Sequence, residues 1–280
     1  MKTNNKKKGN TAKKLIPAAM MLAVSASMLG TSTYAWFTMN TTVTVQGMQM
    51  QARAENGIVV SNAAGGTYDA TATSAKTTVA EIYPGSTKDL STWLHSTSTN
   101  PGAANTQQTY TAGSAWTANT DSSTRGNYVV HDFYLRSSGA TALSFTSLDI
   151  TGVNATVSSS APSQELSKAL RVGIKVAGSQ NYYIYAPVTG YTATVSVQNA
   201  AGAYSSASGD RTDVSALAGN TTSNDTSITS LPANTANGTH VEVFVWYEGE
   251  DAACKSDNIV ASLEQISVSV NFGLTGAATS

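Results

Sequence analysis

Carboxylates gather in one short stretch of the chain, where Glu248, Glu250, Asp251 and Asp257 lie close together. Hard cations such as Ca²⁺ take clustered carboxylate and carbonyl oxygens, so these four are the candidate metal ligands. Their spacing is not that of an EF-hand, and a solvated hairpin loop is the plainer alternative. The single cysteine, Cys254, sits among them and has no second cysteine to pair with in the chain. A catalytic thiol needs a base or a positive field to become thiolate. Glu248, Glu250 and Asp251 oppose that and only Lys255 favours it, so Cys254 reads as a small buried hydrophobe or a free thiol, with intermolecular pairing the alternative. The three histidines, His95, His131 and His240, stand at no metal-ligand spacing, and no His-Glu-x-x-His occurs. His131 falls within a predicted strand and His240 at the start of one, and both read as solvated or hydrogen-bonded strand histidines. The chain has no Gly-x-Ser-x-Gly elbow and no Gly-Lys-Ser/Thr phosphate loop. The sequence therefore predicts a protein that is not an enzyme and takes no cofactor. One binding alternative stays open: Tyr182-Tyr183-Ile184-Tyr185 could line a sugar-binding face, although aromatics are ordinary strand residues.

The elements that must position these residues are strands. Ile266, Val268, Val270, Phe272 and Leu274 alternate with Ser267, Ser269 and Asn271, which predicts a strand lining a core on one face. Val241, Val243, Val245 and Tyr247 also alternate, but Phe244 and Trp246 lie between them. That strand is expected to be central and covered on both sides. Leu170, Val172, Ile174 and Val176 form another, pairing across Gly178-Ser179-Gln180 with residues 182–186, and residues 192–197 form a further strand. Val43 and Val45 change parity with Met48, Met50 and Ala52 across Gly47, as a β-bulge would require. Residues 128–135 and 143–150 read as a hairpin turning at Ser137-Ser138-Gly139. Residues 162–170 read as a short helix beginning near Pro162.

Polar intervals rich in Ser, Thr, Ala, Asn and Gly separate these runs, at about residues 90–127 and 199–239. Both are too long for ordinary connections and are expected to be elaborated loops or small subdomains. The predicted fold is all-β: a two-sheet antiparallel sandwich with long polar loop insertions and a short helix. Residues 36–280 are assigned to one such domain.

Charge narrows the functional classes. Charged residues make up only 12% of the chain, and six lysines fall in the first 14 residues. Without residues 1–35, ten basic residues face seventeen acidic ones. A net charge of about −7 with no basic patch repels phosphate backbones, so nucleic acid is not an expected partner. The first 35 residues combine a lysine-rich start, an uncharged and mostly apolar stretch at residues 15–29, and small polar residues ending at Ala35. This is the three-part pattern of an export signal, which enters the membrane only transiently. Cleavage is expected between Ala35 and Trp36, the alternative being an uncleaved anchor. The protein is then secreted or held at the cell surface. Leu231-Pro232-Ala233-Asn234-Thr235 only superficially matches a sortase signal, and covalent wall anchoring is not expected.

Gly30-Thr31-Ser32-Thr33-Tyr34-Ala35-Trp36-Phe37-Thr38, followed by Thr42-Val43-Thr44-Val45-Gln46-Gly47-Met48, resembles the signal and first strand of SipW-type substrates. That family includes the TasA and camelysin biofilm-matrix proteins. Ile82-Tyr83-Pro84-Gly85-Ser86-Thr87-Lys88-Asp89 resembles its Pro-Gly turn, and Phe133-Tyr134-Leu135-Arg136-Ser137-Ser138-Gly139 a later strand and turn. Ser137 stands where the family commonly has Asn. The resemblance implies a jelly roll, export through a dedicated signal peptidase, and Trp36 as the first mature residue. It also implies a freed terminal strand able to fill a groove in the next subunit. Trp36, Phe37, Met39, Val43 and Val45 would be its apolar groups. Camelysin-like relatives are described as proteases, but the zinc signature is missing here and that activity is not carried over. The expected function is a structural subunit of an extracellular filament or biofilm matrix, partnered by itself or by related matrix subunits. The alternative is a surface adhesin or carbohydrate-binding sandwich.

Overall fold

The computed structural model describes residues 43–54, 57–74, 78–82, 84–96, 107–111, 128–158, 166–197, 209–212, 214–215, 223–249, 251–254 and 265–277. In chain order the strands are β1 (Val43–Ala54), β2 (Ile58–Ser61), β3 (Thr71–Thr73), β4 (Thr78–Ile82), β5 (Gly85–Thr87), β6 (Thr92–Ser96) and β7 (Gln107–Thr111). There follow β8 (Tyr128–Ser137), β9 (Leu143–Ser144), β10 (Ser147–Ser158), β11 (Leu170–Val176), β12 (Tyr182–Ala186) and β13 (Thr194–Val197). The last are β14 (Gly209–Thr212), β15 (Val214–Ser215), β16 (Ser223–Asp225), β17 (Ser230–Leu231), β18 (Thr239–Tyr247) and β19 (Gln265–Thr275). Among the described residues no helix is long and apolar enough to cross a membrane. Of the helix predicted at residues 162–170, residues 162–165 lie outside the described residues, and Ser167–Ala169 form a 3₁₀ turn before β11.

Two large sheets form an all-β sandwich. Sheet I runs β16-β10-β19-β1-β3, with β4 also pairing to β1; sheet II runs β15-β12-β11-β18-β8-β2. Eight of these strands nest as a folded-over chain: β1 beside β19, β8 beside β18, β10 beside β16, and β11 beside β12. The nested pairs alternate between the sheets, which is the order of a jelly roll. The sandwich is antiparallel as expected; among the described strands the pairs that run parallel are β1 with β19 and β15 with β12.

The core lies between the sheets. Met50, Ile58, Phe133, Leu148, Leu170, Val172, Tyr185, Val243, Val268 and Phe272 are among its buried members. β19 presents Ile266, Val268, Val270 and Phe272 inward and the exposed Ser267 outward, as its alternation required. The β11–β12 hairpin forms with Lys175 opposite Tyr182. Gly47 is the extra residue where the β1–β4 register shifts, so the parity change at that glycine is a bulge.

One expected hairpin does not form. β8 pairs with β18 and β2, whereas β10 pairs with β19 and β16, so the chain crosses between sheets after Ser137. The turn there is occupied by distant partners. Ser137 N–H donates to the Pro232 carbonyl and Ser138 N–H to that of Gly57. Asn234 closes the same corner by donating its side-chain amide to the Ser138 carbonyl. The Leu-Pro-Ala-Asn-Thr stretch thus serves as a clamp, with Leu231 fully buried.

Part of the 90–127 insertion is a cover for sheet II. β5, β6 and β7 make a three-stranded sheet, and β5 is bridged to the residues just after β18, where Gly249 N–H donates to the Gly85 carbonyl at 3.0 Å. Its Trp93 is fully buried, stacks on Tyr128 with centroids 4.0 Å apart and meets Trp246 edge-on at 5.0 Å. With Leu90, Val130, Ile184 and Phe244 these rings form a second apolar cluster on the outer face of sheet II. β18 is therefore central and covered on both faces, as its double apolar pattern demanded. The fit is close. A Cβ at Gly173 would stand 2.5 Å from a Leu90 methyl, and Leu90 reaches that place through a left-handed backbone, φ 58°.

Candidate functional site

The assembly residues predicted from the sequence divide at the start of β1. Ala35, Trp36, Phe37 and Met39 lie outside the described residues, while Val43 and Val45 open β1. β1 fills an interior slot of sheet I. On one side it runs parallel to β19, with Met48 opposite Ile266 and Ala54 opposite Phe272. On the other its first half pairs with β4, from Val43 opposite Ile82, and its second half with β3, from Gln51 opposite Thr73.

Two further bonds fasten the strand. Ser74 N–H donates to the Met50 carbonyl at 2.7 Å, and Ala54 N–H to the Ala70 carbonyl at 2.9 Å. The Ser74 hydroxyl also lies 2.8 Å from Nδ1 of His131, a fully buried histidine of β8. His131 is thus a hydrogen-bonded strand histidine, and it links the rim of the slot to sheet II. The inward side chains that β1 contributes along its second half are small apart from one: Met50, Ala52 and Ala54 are buried, while Arg53 is exposed. Two alanines add little transfer free energy beside the roughly 1.5–3 kcal/mol of a buried Met or Leu. Backbone ladders on both edges therefore carry much of what holds this half of β1.

Of the four acidic candidates, Asp251 and Glu248 are among the described residues. Asp251 is buried and accepts from the Arg171 guanidinium at 2.6 Å, from Thr192 N–H at 2.7 Å and from Ala253 N–H at 2.9 Å. Glu248 is fully buried and accepts from the indole N–H of Trp246 at 3.3 Å. Both carboxylates are therefore engaged by protein donors. Glu250 and Asp257 lie outside the described residues. Among the described residues no group of three or more His, Cys, Asp or Glu side chains is arranged to hold a metal. Cys254 is fully buried in the main core beside this turn.

Arg171 is the residue whose part the sequence concealed. Alternation places it on the outer face of β11, yet it is fully buried. There its guanidinium also donates to the carbonyls of Lys168, Leu170 and Thr192. Its carboxylate partner is 80 residues away in sequence, and no local pattern announces such a pair.

The aromatic run of β12 is split between faces. Tyr185 enters the main core, Ile184 joins the outer cluster and only Tyr182 is exposed, so the four do not share one platform. On β18, His240 donates its Nε2–H to the Asp132 carboxylate at 3.0 Å, and its ring stacks on Tyr134. His95 lies on β6. No protein-family model, curated protein or solved structure matches this chain.

Proposed function

We propose that this chain is an exported structural subunit of an extracellular filament or biofilm matrix, of the TasA and camelysin kind. We further propose that it assembles by donating its first strand to the next subunit. The observation that carries this reading is the place of β1. It is the first described strand, it occupies an interior slot between β19 and β3–β4, and it runs against the antiparallel order of the other nested pairs. An extended segment entering such a slot gains main-chain bonds on two edges and seats alternate side chains. The same bonds are available in the slot of a neighbouring subunit. A head-to-tail exchange of this kind does not close on itself, and open filaments result.

The leader supplies the remaining step. A cut between Ala35 and Trp36 by a dedicated signal peptidase releases the end of β1, and Trp36, Phe37, Met39, Val43 and Val45 add apolar groups to the freed segment. Electron microscopy of the purified mature protein tests the proposal. Concentration-dependent fibres that disappear on deletion of residues 36–46 are expected. Monodisperse monomers that bind glycans would contradict it and favour an adhesin.

A further inference from the structure

We infer that the outer edge of β10 over residues 152–158 is a second association surface, and that its occupant is the same edge of another copy of this chain. β10 pairs with β19 from Ser147 to Ser158, but on its other edge β16 meets it only at Leu148, Asp149 and Ile150. Past the bulge between Ile150 and Gly152, no described strand pairs with that edge. Exposed strand edges are templates for pairing, and soluble proteins blunt them with lysine, other charges or proline. Here Gly152, Val153, Asn154, Ala155, Thr156, Val157 and Ser158 carry no charge and no proline.

The edge is also complementary to itself. Val153 is buried, and Ala155 and Val157 are partly buried against the main core, so an added strand would cover the remainder of that stripe. An antiparallel partner related by a two-fold axis at Ala155 sets Val153 opposite Val157 and Asn154 opposite Thr156. Apolar groups then meet apolar groups on the inner face, and amide meets hydroxyl on the outer face. The smallest side chain of the stripe falls on the axis. The next residues on the outer face of sheet I, Ser267 and Ser269, are uncharged too, so two copies meet without like-charge repulsion.

Such a contact is isologous and closes as a dimer, unlike the open exchange of β1. It stands independently of that exchange. One short edge buries little area, so the dimer is weak and concentration-dependent.

The test uses a chain carrying Gln51→Cys and Ser269→Cys, oxidised as a monomer. These positions are opposite each other on β1 and β19, and their disulfide blocks strand exchange. In sedimentation equilibrium its average mass should rise towards twice the monomer mass with concentration. Adding N154K/T156K places ammonium groups opposite one another across the axis and should abolish the rise. Adding N154E/T156K instead sets each new carboxylate opposite a new ammonium and should restore it. A parent chain monomeric at every concentration overturns the inference. So does an N154E/T156K chain that behaves like N154K/T156K, since the edge would then accept a different strand.

Discussion

β18 and β1 both lie inside a sheet, yet they are held in different ways. β18 is buried on both faces, with Val241, Val243 and Val245 in the main core and Phe244 and Trp246 under the insertion that carries Trp93. Side chains therefore hold it from both faces. β1 sends Met50, Ala52 and Ala54 inward, and its outer face carries Gln51 and the exposed Arg53. An interior position in a sheet does not by itself fix a strand permanently. What separates the two is whether side chains or main-chain ladders supply the binding, because ladders can be reproduced in another subunit's slot and an interlocked aromatic cluster cannot.

Variants can sharpen this contrast. Trp93→Ala should have the largest effect, about 3–5 kcal/mol of stability, since it empties the centre of the cluster over β18. Urea unfolding would measure it, and fibre formation through β1 should survive in whatever fraction remains folded. Arg171→Ala should cost about 3 kcal/mol or more, because Asp251 would keep a buried carboxylate without its cation. Replacing both partners by apolar residues of similar volume should recover much of that loss, as a double-variant cycle would show.

Smaller changes probe the fit of the cover. Gly173→Ala should destabilise by about 1–3 kcal/mol, because the new methyl meets Leu90 and Trp246 at overlapping distances. Leu90→Ala in the same chain should relieve the clash and make the pair less than additive.

Alkaline titration tests the burial of the aromatic cover. Burial, followed by the nearby Glu242 carboxylate, pushes the Tyr128 phenol up to about 12, and burial with Asp225 nearby does the same for Tyr183. A phenol whose pKa is raised on folding contributes stability that is intact below its ordinary value near 10 and is lost as pH rises towards about 12. Unfolding midpoints should therefore fall across that window. Asp225 acts oppositely and weakly at the acid end. Burial alone would raise its carboxyl, but donors from Ser179, Ser227 and Asn181 outweigh that and hold it below the usual carboxylate range. Its contribution is present above the ordinary carboxylate pKa and fades as pH drops through the lowered one. Removing the Ser227 hydroxyl should shift the acid limb of the stability curve slightly upward in pH.

Local pattern carried the parts of the fold that depend on neighbouring residues. The two apolar faces of β18, the single core face of β19, the β11–β12 hairpin and the bulge at Gly47 all follow from side-chain parity within a few residues. Ser137-Ser138-Gly139 misled for the same reason: it has the composition of a hairpin turn, but Pro232 and Gly57 take its N–H groups from far along the chain. The parallel pairing of β1 with β19 joins the two ends of the domain and leaves no trace in either strand. Arg171 and Asp251 were legible as polar residues but not as partners, because only the folded sandwich brings β11 beside the turn that carries Asp251. The candidate assembly strand was legible through its aromatic and β-branched residues. Its slot was not, since β19, far along the chain, builds one side of it while β3 and β4 build the other.

The most direct measurement is a disulfide trap between two differently marked chains, one with Gln51→Cys and the other with Ser269→Cys, mixed before assembly and oxidised in the fibres. If β1 is donated, disulfides join one chain to the other and connect successive subunits. Fibres that yield no such cross-link, while the double-cysteine chain within them closes its disulfide internally, would show that β1 stays in its own subunit and contradict the account.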